Sequence, residues 1–409
     1  MTRPTSPHPG LSAEHARGLP RRHCLAALAG GWWLAGCAQP AAAPSSSTGT
    51  GTGTGTAPAW PPRPTVIAHR GASALRPEHT LAAYQKAIND GADIIEPDLV
   101  ITRDGVLVAR HENAIAIVGP DGAIKEATTD VAERPEFAAR KTTKRIDGQS
   151  ITGWFTEDFT LAELKTLRAR ERIPAQRPAN AAYNGQFEVP TLAEVIALAQ
   201  AEGRRRGRTI GVYPETKHPS YFQSIGLPLE PALLALLERS GWNHRDAPVF
   251  IQSFEVANLQ ALRPRTRVRL VQLVAATGRP YDFVARGAAE TRGYADLITP
   301  EGLREVARYA DGLGPHKSLV LPVQGGALGA PTALVDHAHA AGLAVHVWTL
   351  RPENAFLPAA LRAAPASDGT RRGDAEAEAL AFLRAGVDGF FTDDPASGRA
   401  AVQAWAARR

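Results

Sequence analysis

The sequence predicts an α/β protein whose parallel strands close into a (β/α)8 TIM barrel, with a small insertion subdomain after the second barrel strand. Short apolar, β-branched runs alternate with helical stretches along the chain. Such alternation implies a parallel sheet covered by helices. Histidine, arginine and carboxylate side chains follow several different strands, which favours a closed barrel over a doubly wound sheet, because a barrel gathers the C-terminal ends of its strands at one face.

The individual elements follow from hydrophobic periodicity. Strands are predicted at 66–70, 93–101, 107–111, 209–216, 249–253, 267–274, 343–350 and 386–392, and one further strand is expected within 310–325, where the pattern is weak. Helices are predicted near 80–90, 191–202, 229–239, 255–263, 300–309, 331–341 and 374–385. We therefore expect one barrel over residues 65–400, interrupted by an insertion subdomain at 112–190 that shapes its mouth.

The N-terminal segment has a different composition from the predicted barrel. Two adjacent arginines precede an apolar stretch, and residues 34–37 (LAGC) resemble a bacterial lipoprotein cleavage box. We expect a lipoprotein-type signal peptide at 1–36, followed at 37–64 by a disordered tether with a lipidated Cys37. The alternatives are an ordinary cleaved signal peptide and export by the twin-arginine route. In each case the protein is exported, and the lipoprotein interpretation predicts a periplasmic enzyme anchored to a membrane.

Charge and cysteine usage narrow the classes of partner. Removal of residues 1–36 deletes four Arg and one Glu and takes the formal net charge from +5 to +2. That charge is too small to predict nucleic-acid binding. The remaining cysteine, Cys24, lies in the removed segment, so no disulfide is expected in the mature chain. The predicted partners are a small substrate and, through the lipid anchor, a membrane, while protein partners are left open.

Acidic residues on two predicted strands suggest a metal site. Side chains alternate along a strand, so Glu96 and Asp98 project from one face of the run 94–101. Two such close carboxylates repel each other unless a cation lies between them, and hard oxygen ligands favour calcium or magnesium over zinc. The same rule aligns Glu215 with Lys217, an arrangement that suits a metal and a phosphate side by side.

Two histidines end apolar strands. His69 follows residues 66–68 and His111 follows residues 106–108, so their imidazoles can converge on one mouth. One can accept a proton while the other donates one, because unperturbed imidazole titrates close to neutrality. Arg70 supplies a permanently charged planar fork that suits two phosphate oxygens. This combination predicts phosphodiester chemistry.

A series of motifs resembles the glycerophosphodiester phosphodiesterase family, particularly its periplasmic bacterial members. The motifs run from about Val66 to Pro395 and comprise His69-Arg70-Gly71, Pro77-Glu78-His79-Thr80, Glu96-x-Asp98, His111, Glu215-x-Lys217, Gln252-Ser253-Phe254, Trp348-Thr349-Leu350 and the run from Asp388 to Pro395. Two positions depart from the family pattern. Pro97 lies between the two carboxylates, and His79 stands where Asn is common.

The resemblance implies a TIM barrel and a set of residue roles. One divalent cation, for which calcium is favoured and magnesium is the alternative, would be bound by Glu96, Asp98 and Glu215. Catalysis as general acid and base would fall to His69 and His111, and phosphate binding to Arg70 and Lys217.

Three more residues are expected to support the site. Glu78 belongs to a helix-start pattern, so it would either cap that helix or orient Arg70. Gln252 and Trp348 are expected to line the pocket. Four other histidines receive no role, although a substrate contact is left open for the second of them: His79, His218, His316 and His346.

The activity that the resemblance implies is hydrolysis of glycerophosphodiesters, such as glycerophosphocholine or glycerophosphoethanolamine, to sn-glycerol 3-phosphate and an alcohol. In the family picture a glycerol hydroxyl attacks phosphorus with one histidine as base, the other histidine protonates the departing alcohol, and water opens the resulting cyclic phosphate. The order of the two histidines is left open. The alternatives are a phospholipase D-like or lyase activity on intact lipids, and a non-catalytic surface lipoprotein that acts as a binding module.

Overall fold

The computed structural model of this chain describes residues 60–408. The expected signal peptide, the lipidated Cys37 and the tether up to residue 59 lie outside these residues. Within 60–408, no helix combines the length and the apolar character that crossing a membrane requires. The prediction that the disordered tether extends to residue 64 is wrong for residues 60–64, because these residues are ordered and the Trp60 ring lies 5.6 Å from the Phe250 ring of the barrel.

Within residues 60–408, eight parallel strands close into a barrel. Each strand pairs with the next along the chain, and the last pairs with the first, which confirms the predicted fold class. The strands are β1 (Thr65–His69), β2 (Ile94–Glu96 and Asp98–Ile101), β3 (Gly211–Val212 and Glu215–Thr216), β4 (Phe250–Ser253), β5 (Arg269–Val274), β6 (Gly312–Pro315), β7 (Ala344–Leu350) and β8 (Gly389–Thr392). The weakly patterned strand expected within 310–325 is β6.

Helices cover the outside of the barrel. They are α1 (Leu81–Asn89), α2 (Leu192–Arg206), α3 (Leu229–Arg239), α4 (Val256–Leu262), α5 (Pro300–Val306), α6 (Leu334–Ala340), α7 (Ala375–Arg384) and α8 (Pro395–Ala406). The sequence prediction missed α8, whose alanine-rich run carries a weak apolar stripe, although Pro395 at its first position is a helix-start signal. It also ended α2 four residues early; this helix continues to Arg206 and is followed by Gly207, which adopts a left-handed conformation.

Strand alternation decides which side chains face the site. Val66 points outward to α8, where it lies close to Gly398. Ile67 and His69 therefore point into the barrel. Ile67 belongs to a separate buried cluster with Ile94, Tyr213, Phe250, Val271 and Phe391 that fills the interior below the mouth. Above this apolar cluster, the C-terminal ends of the strands hold the polar side chains of the mouth.

The prediction of a parallel strand at 107–111 is wrong. Residues Leu107–Ala109 pair antiparallel with the second part of β2, Asp98–Ile101, and so form a hairpin outside the barrel sheet. The hairpin returns the chain to the level of the metal carboxylates, because the Arg110 N–H donates to the Asp98 carbonyl at 3.0 Å. Alternation of apolar residues cannot distinguish a parallel from an antiparallel partner.

The insertion begins with a four-stranded antiparallel sheet of Ala114–Val118, Ile124–Ala127, Thr142–Ile146 and Gln149–Phe155. Trp154 and Phe155 are buried and join the main hydrophobic core, and the Trp154 indole N–H donates to the Phe137 carbonyl at 2.8 Å. Tyr183, also singled out in this segment, is only half-buried. Beyond the sheet, the chain reaches α2 through short turns and loops that contact the barrel mouth.

Candidate active site

The chain turns sharply where β1 ends. Arg70 has φ 60° and Gly71 has φ 88°, both in the left-handed region, which is costly for an arginine. A side chain on Gly71 would place its Cβ 2.6 Å from the main-chain carbon of Ala83, so only glycine fits. The Arg70 N–H donates to Glu96 Oε2 at 2.7 Å, which helps to hold the strained turn. The turn thereby brings His69 and Arg70 to the same mouth.

Three buried carboxylates meet at this mouth. Oxygen atoms of Glu96, Asp98 and Glu215 all lie within 4.8 Å of one another. Asp98 and Glu215 are register partners on β2 and β3, and Glu96 is the register partner of His69 on β1. Pro97 interrupts β2 but does not separate the two carboxylates that flank it.

The donor set fits a divalent cation. Burial and then the Asp98 carboxylate raise the pKa of Glu96, and burial raises the pKa of Glu215 to about 8, with Lys217 opposing the rise. Beside them, within the described residues, Gln252 Oε1 is a buried oxygen without a hydrogen-bond partner, while the Gln252 amide donates to Glu96 Oε1 at 3.1 Å. A cluster of hard oxygen donors that lacks sufficient positive charge is the environment that calcium or magnesium prefers.

Asp98 is oriented by two neighbours. His79 Nε2 lies 2.9 Å from Asp98 Oδ2, and Arg70 Nε lies 3.2 Å from the same oxygen. The other ring nitrogen of His79 contacts the Tyr84 hydroxyl at 2.8 Å, which fixes the imidazole. Although burial would raise it, the pKa of Asp98 is held well below its usual range by Arg70 and His79. The sequence interpretation gave His79 no role, yet it positions one carboxylate of the triad.

His69 has a buried acidic partner. Its Nδ1 lies 2.6 Å from Asp393 Oδ1, and Asp393 directly follows β8. Asp393 is also bound by Arg177 from the insertion and by Arg351, whose Nε lies 3.2 Å away. Burial and then the Arg70 charge lower the pKa of His69 to about 4. The rule that polar residues follow strands could have identified Asp393, whereas nothing in the local sequence indicates Arg177.

His111 has a different acidic partner from that of His69, and this partner lies outside the barrel strands. Its Nδ1 lies 3.2 Å from Glu112 Oε1, and the other oxygen of Glu112 lies 2.5 Å from His218 Nε2. The second nitrogen of His218 lies 2.6 Å from Asp147 Oδ2 on the insertion sheet. Although burial opposes it, the carboxylates of Asp147 and Glu112 raise the pKa of His218 to about 10. His218 therefore links His111 to the insertion through Glu112.

The two phosphate-binding candidates are also held in place. Arg70 Nη1 donates to Glu78 Oε2 at 3.1 Å, and Arg172 of the insertion donates to the other Glu78 oxygen at 3.0 Å. Of the two options for Glu78, it orients Arg70, because the cap of α1 is the Thr80 hydroxyl. Lys217 Nζ lies 2.9 Å from Glu215 Oε1.

Most of the predicted residues line one cavity of about 210 Å³, hereafter the catalytic cavity. They are His69, Arg70, Glu96, His111, Glu215, Lys217, Gln252 and Trp348. Asp98 and Glu78 lie directly behind them through the contacts above. The Trp348 indole N–H donates to the Gly314 carbonyl at 2.9 Å, and its ring packs edge-on against Phe254 and His316, so Trp348 forms an apolar wall.

Comparison with known proteins identifies the family to which this chain is similar. A family model described as the glycerophosphoryl diester phosphodiesterase family matches residues 69–397. A glycerophosphodiester phosphodiesterase of Arabidopsis thaliana is 34% identical over 344 residues, which cover 81% of this chain and 84% of that protein. A glycerophosphodiester phosphodiesterase of Treponema pallidum is 28% identical over 306 residues, which cover 70% of this chain and 81% of that protein.

Solved structures share the fold. A phosphodiesterase of Oleispira antarctica, solved in complex with the product sn-glycerol-3-phosphate, has a TM-score of 0.53 at 21% identity, and the match covers 83% of this chain and 97% of that chain. The family match spans β1 to α8, and the relatives align over most of their own length. The chain therefore belongs to the glycerophosphoryl diester phosphodiesterase family, which confirms the family and the enzyme class predicted from its sequence, while the periplasmic type stays a prediction.

Proposed function

We propose that this protein hydrolyses glycerophosphodiesters to sn-glycerol 3-phosphate and an alcohol in a metal-dependent reaction. One observation carries the proposal: a single cavity unites members of a carboxylate triad, two cationic side chains and two imidazoles. Each imidazole has a carboxylate partner of its own. The Oleispira antarctica phosphodiesterase, which was solved in complex with its product sn-glycerol-3-phosphate, supports the same product here.

Binding of the phosphate falls to Arg70 and Lys217. The Arg70 guanidinium is held by Glu78 and by the strained turn, so its fork is already oriented before substrate arrives. A divalent cation held by Glu96, Asp98 and Glu215, with calcium preferred over magnesium, would supply charge neutralisation at the phosphate and a lower pKa for a glycerol hydroxyl. Both side-chain cations act where negative charge develops on the phosphate oxygens.

The proton transfers fall to His69 and His111. One imidazole takes the proton of a glycerol hydroxyl as its oxygen forms a bond to phosphorus, while the other donates a proton to the alcohol oxygen as the second phosphorus–oxygen bond breaks. Water then opens the cyclic phosphate with the two roles reversed. Asp393 and Glu112 stabilise the imidazolium forms, because each carboxylate lies next to a ring nitrogen.

The decisive experiment measures glycerol 3-phosphate released from glycerophosphocholine after removal of bound metal with chelator. We expect no release until calcium or magnesium is returned, and a higher melting temperature when the cation binds, because a ligand specific to the folded state stabilises it. Full activity in protein shown by elemental analysis to lack metal would contradict the proposal. Phosphorus NMR of the product identifies the alternative lyase activity, which would end at a cyclic phosphate.

We also propose that the protein is an exported, periplasmic lipoprotein anchored through Cys37. The cleavage-box sequence at 34–37 and the composition of residues 38–59 support this proposal. Mass spectrometry of the mature N-terminus, with the Cys37→Ala variant as control, tests it. An unmodified N-terminus at another residue would contradict it.

A further inference from the structure

A second cavity, of about 320 Å³, adjoins the catalytic cavity and is hereafter called the side cavity. Glu215, Lys217 and Phe254 line both cavities, so the two adjoin at these residues. A phosphodiester carries two substituents on one phosphorus. With phosphorus at the carboxylate triad, the side cavity is positioned to receive one of these substituents.

One carboxylate of the side cavity lacks a cationic partner. Glu255 is only 3% exposed and accepts hydrogen bonds from the Ser220 hydroxyl and main-chain N–H. Within residues 60–408, no ion pair to Glu255 is found. Burial, together with the charges of Asp147 and Asp282, raises the pKa of Glu255 to about 7. A positively charged ligand group would remove this cost of burial.

Two of the three cationic side chains that line the side cavity are paired with carboxylates. Lys217 pairs with Glu215 at 2.9 Å, and His218 lies 2.6 Å from Asp147. Arg279 donates to the main-chain carbonyls of Arg292 and Glu290. In contrast, the oxygen Oδ1 of Asp147 is buried without a hydrogen-bond partner within the described residues. Asp147 Oδ1 therefore adds an unused acceptor to the side cavity beside the unpaired carboxylate of Glu255.

Aromatic rings provide the remaining wall. Tyr294 is buried and packs edge-on against Phe254 at 6.1 Å between ring centroids. Tyr281 lies against the turn at Gly148, since a Cβ on that glycine would be 3.8 Å from the Tyr281 ring. The insertion and the barrel thus enclose the side cavity together. Aromatic faces beside a carboxylate are the combination that recognises organic ammonium groups.

We propose that the side cavity binds the ammonium group of a cationic alcohol, such as choline or ethanolamine, with Glu255 as its carboxylate and Tyr281 and Tyr294 as its aromatic walls. The inference rests on the proposed function, because it assigns a place to the alcohol half of the same diester. A neutral alcohol such as glycerol would leave Glu255 without an opposite charge. The enzyme is therefore expected to prefer diesters with cationic head groups.

The test compares kcat/KM for glycerophosphocholine with that for the neutral diester glycerophosphoglycerol. In Glu255→Gln the ratio should fall on the order of 10-fold, which corresponds to about 1.4 kcal/mol, because the variant loses the charge attraction between the carboxylate and the quaternary ammonium group. Tyr281→Leu should lower the ratio by about 3-fold or more. The matched control is Glu301→Gln at the start of α5, where the side chain is 74% exposed and the ratio should not change.

A second measurement uses the wild-type enzyme, so it does not depend on folding of the variants. Choline should inhibit hydrolysis of glycerophosphoglycerol competitively, and glycerol at the same concentration should inhibit less. Hydrolysis of glycerophosphoglycerol with equal inhibition by both alcohols, or a ratio unchanged in Glu255→Gln, would overturn the inference and leave the proposed function standing. If neither diester is hydrolysed, the proposed function fails. In that case a choline-induced rise in melting temperature, lost in Glu255→Gln, still supports the side cavity as an ammonium site, and its absence overturns it.

Discussion

The two histidines of the catalytic cavity are held by different parts of the molecule. His69 lies on β1, its side chain is 11% exposed, and its partner Asp393 lies 2.6 Å away at the end of β8. His111 follows a hairpin outside the barrel, its side chain is 25% exposed, and its partner Glu112 lies 3.2 Å away. The first pair joins two neighbouring barrel strands and is also bound by Arg177 of the insertion. The second pair lies outside the barrel sheet and depends on the link from His218 to Asp147 of the insertion.

The difference indicates that the two histidines proposed as acid and base are held by separate sets of contacts. Buried charges interact more strongly than exposed ones, because water screens the latter. Asp393 is 2% exposed as a side chain, and Glu112 is 26% exposed. Changes near His69 should therefore affect the reaction more than equivalent changes near His111. Changes at Asp147 of the insertion should act mainly on the His111 side, and changes at Arg177 of the insertion should act mainly on the His69 side.

The largest expected effect tests whether both imidazoles take part at all. His69→Ala and His111→Ala should each lower kcat by on the order of 10²–10⁴-fold, because each removes a proton donor or acceptor. Steady-state release of glycerol 3-phosphate is the measurement, and the exposed His337→Ala on α6 is the control. Near-normal turnover in either variant would show that this histidine is neither the acid nor the base, and the contrast between the two surroundings would then have no bearing on catalysis.

The next largest effect compares the contributions of the two carboxylate partners, Asp393 and Glu112, to kcat. Asp393→Asn should lower kcat by on the order of 10- to 100-fold, and Glu112→Gln by less than about 10-fold, since a buried charged hydrogen bond contributes more than a screened one. The Asp393 charge raises the pKa of His69. Its loss should therefore move the limb of the pH–rate profile that reports His69 to lower pH.

Equal losses in Asp393→Asn and Glu112→Gln, or a pH profile that does not move, would show that the two surroundings are equivalent in catalysis. Melting temperatures of both variants are needed beside the rates, because Asp393 also binds Arg177 and Arg351. A loss of stability without a shift of the pH profile would indicate that Asp393 is structural only.

The smallest effect concerns stability and the link to the insertion. The pKa of His218 is raised to about 10 by Asp147 and Glu112 against the effect of burial, so its protonated form is favoured in the folded state. This stabilisation is fully present below the unfolded pKa of about 6.5 and is lost as pH rises through about 10. His218→Gln should therefore destabilise the protein by about 1–3 kcal/mol at pH 6 and by less at pH 10.

Denaturant unfolding at several pH values measures this prediction. The exposed His337→Gln serves as control, with no expected dependence of its effect on pH. A destabilisation by His218→Gln that stays constant between pH 6 and pH 10 would refute the ionic link between His111 and the insertion.

Local sequence patterns predicted most of the barrel strands and many of the side chains that line the catalytic cavity. Strand alternation placed Glu96 beside Asp98 and Glu215 beside Lys217, and the same rule aimed His69 into the barrel. The rule failed at 107–111 because it carries no information about the direction of the neighbouring strand. It nevertheless led to His111, since the hairpin returns to the same mouth.

Periodicities along the sequence and motifs within short segments predicted the fold class, the family and most of the residues that line the catalytic cavity. The groups that hold those residues in place come from distant parts of the chain and are visible only in the folded protein. Asp393 is 324 positions from His69, and Arg177 is 216 positions from Asp393. The side cavity likewise joins a turn of the insertion to loops of the barrel. Such contacts arise from chain closure and packing, which no local pattern encodes.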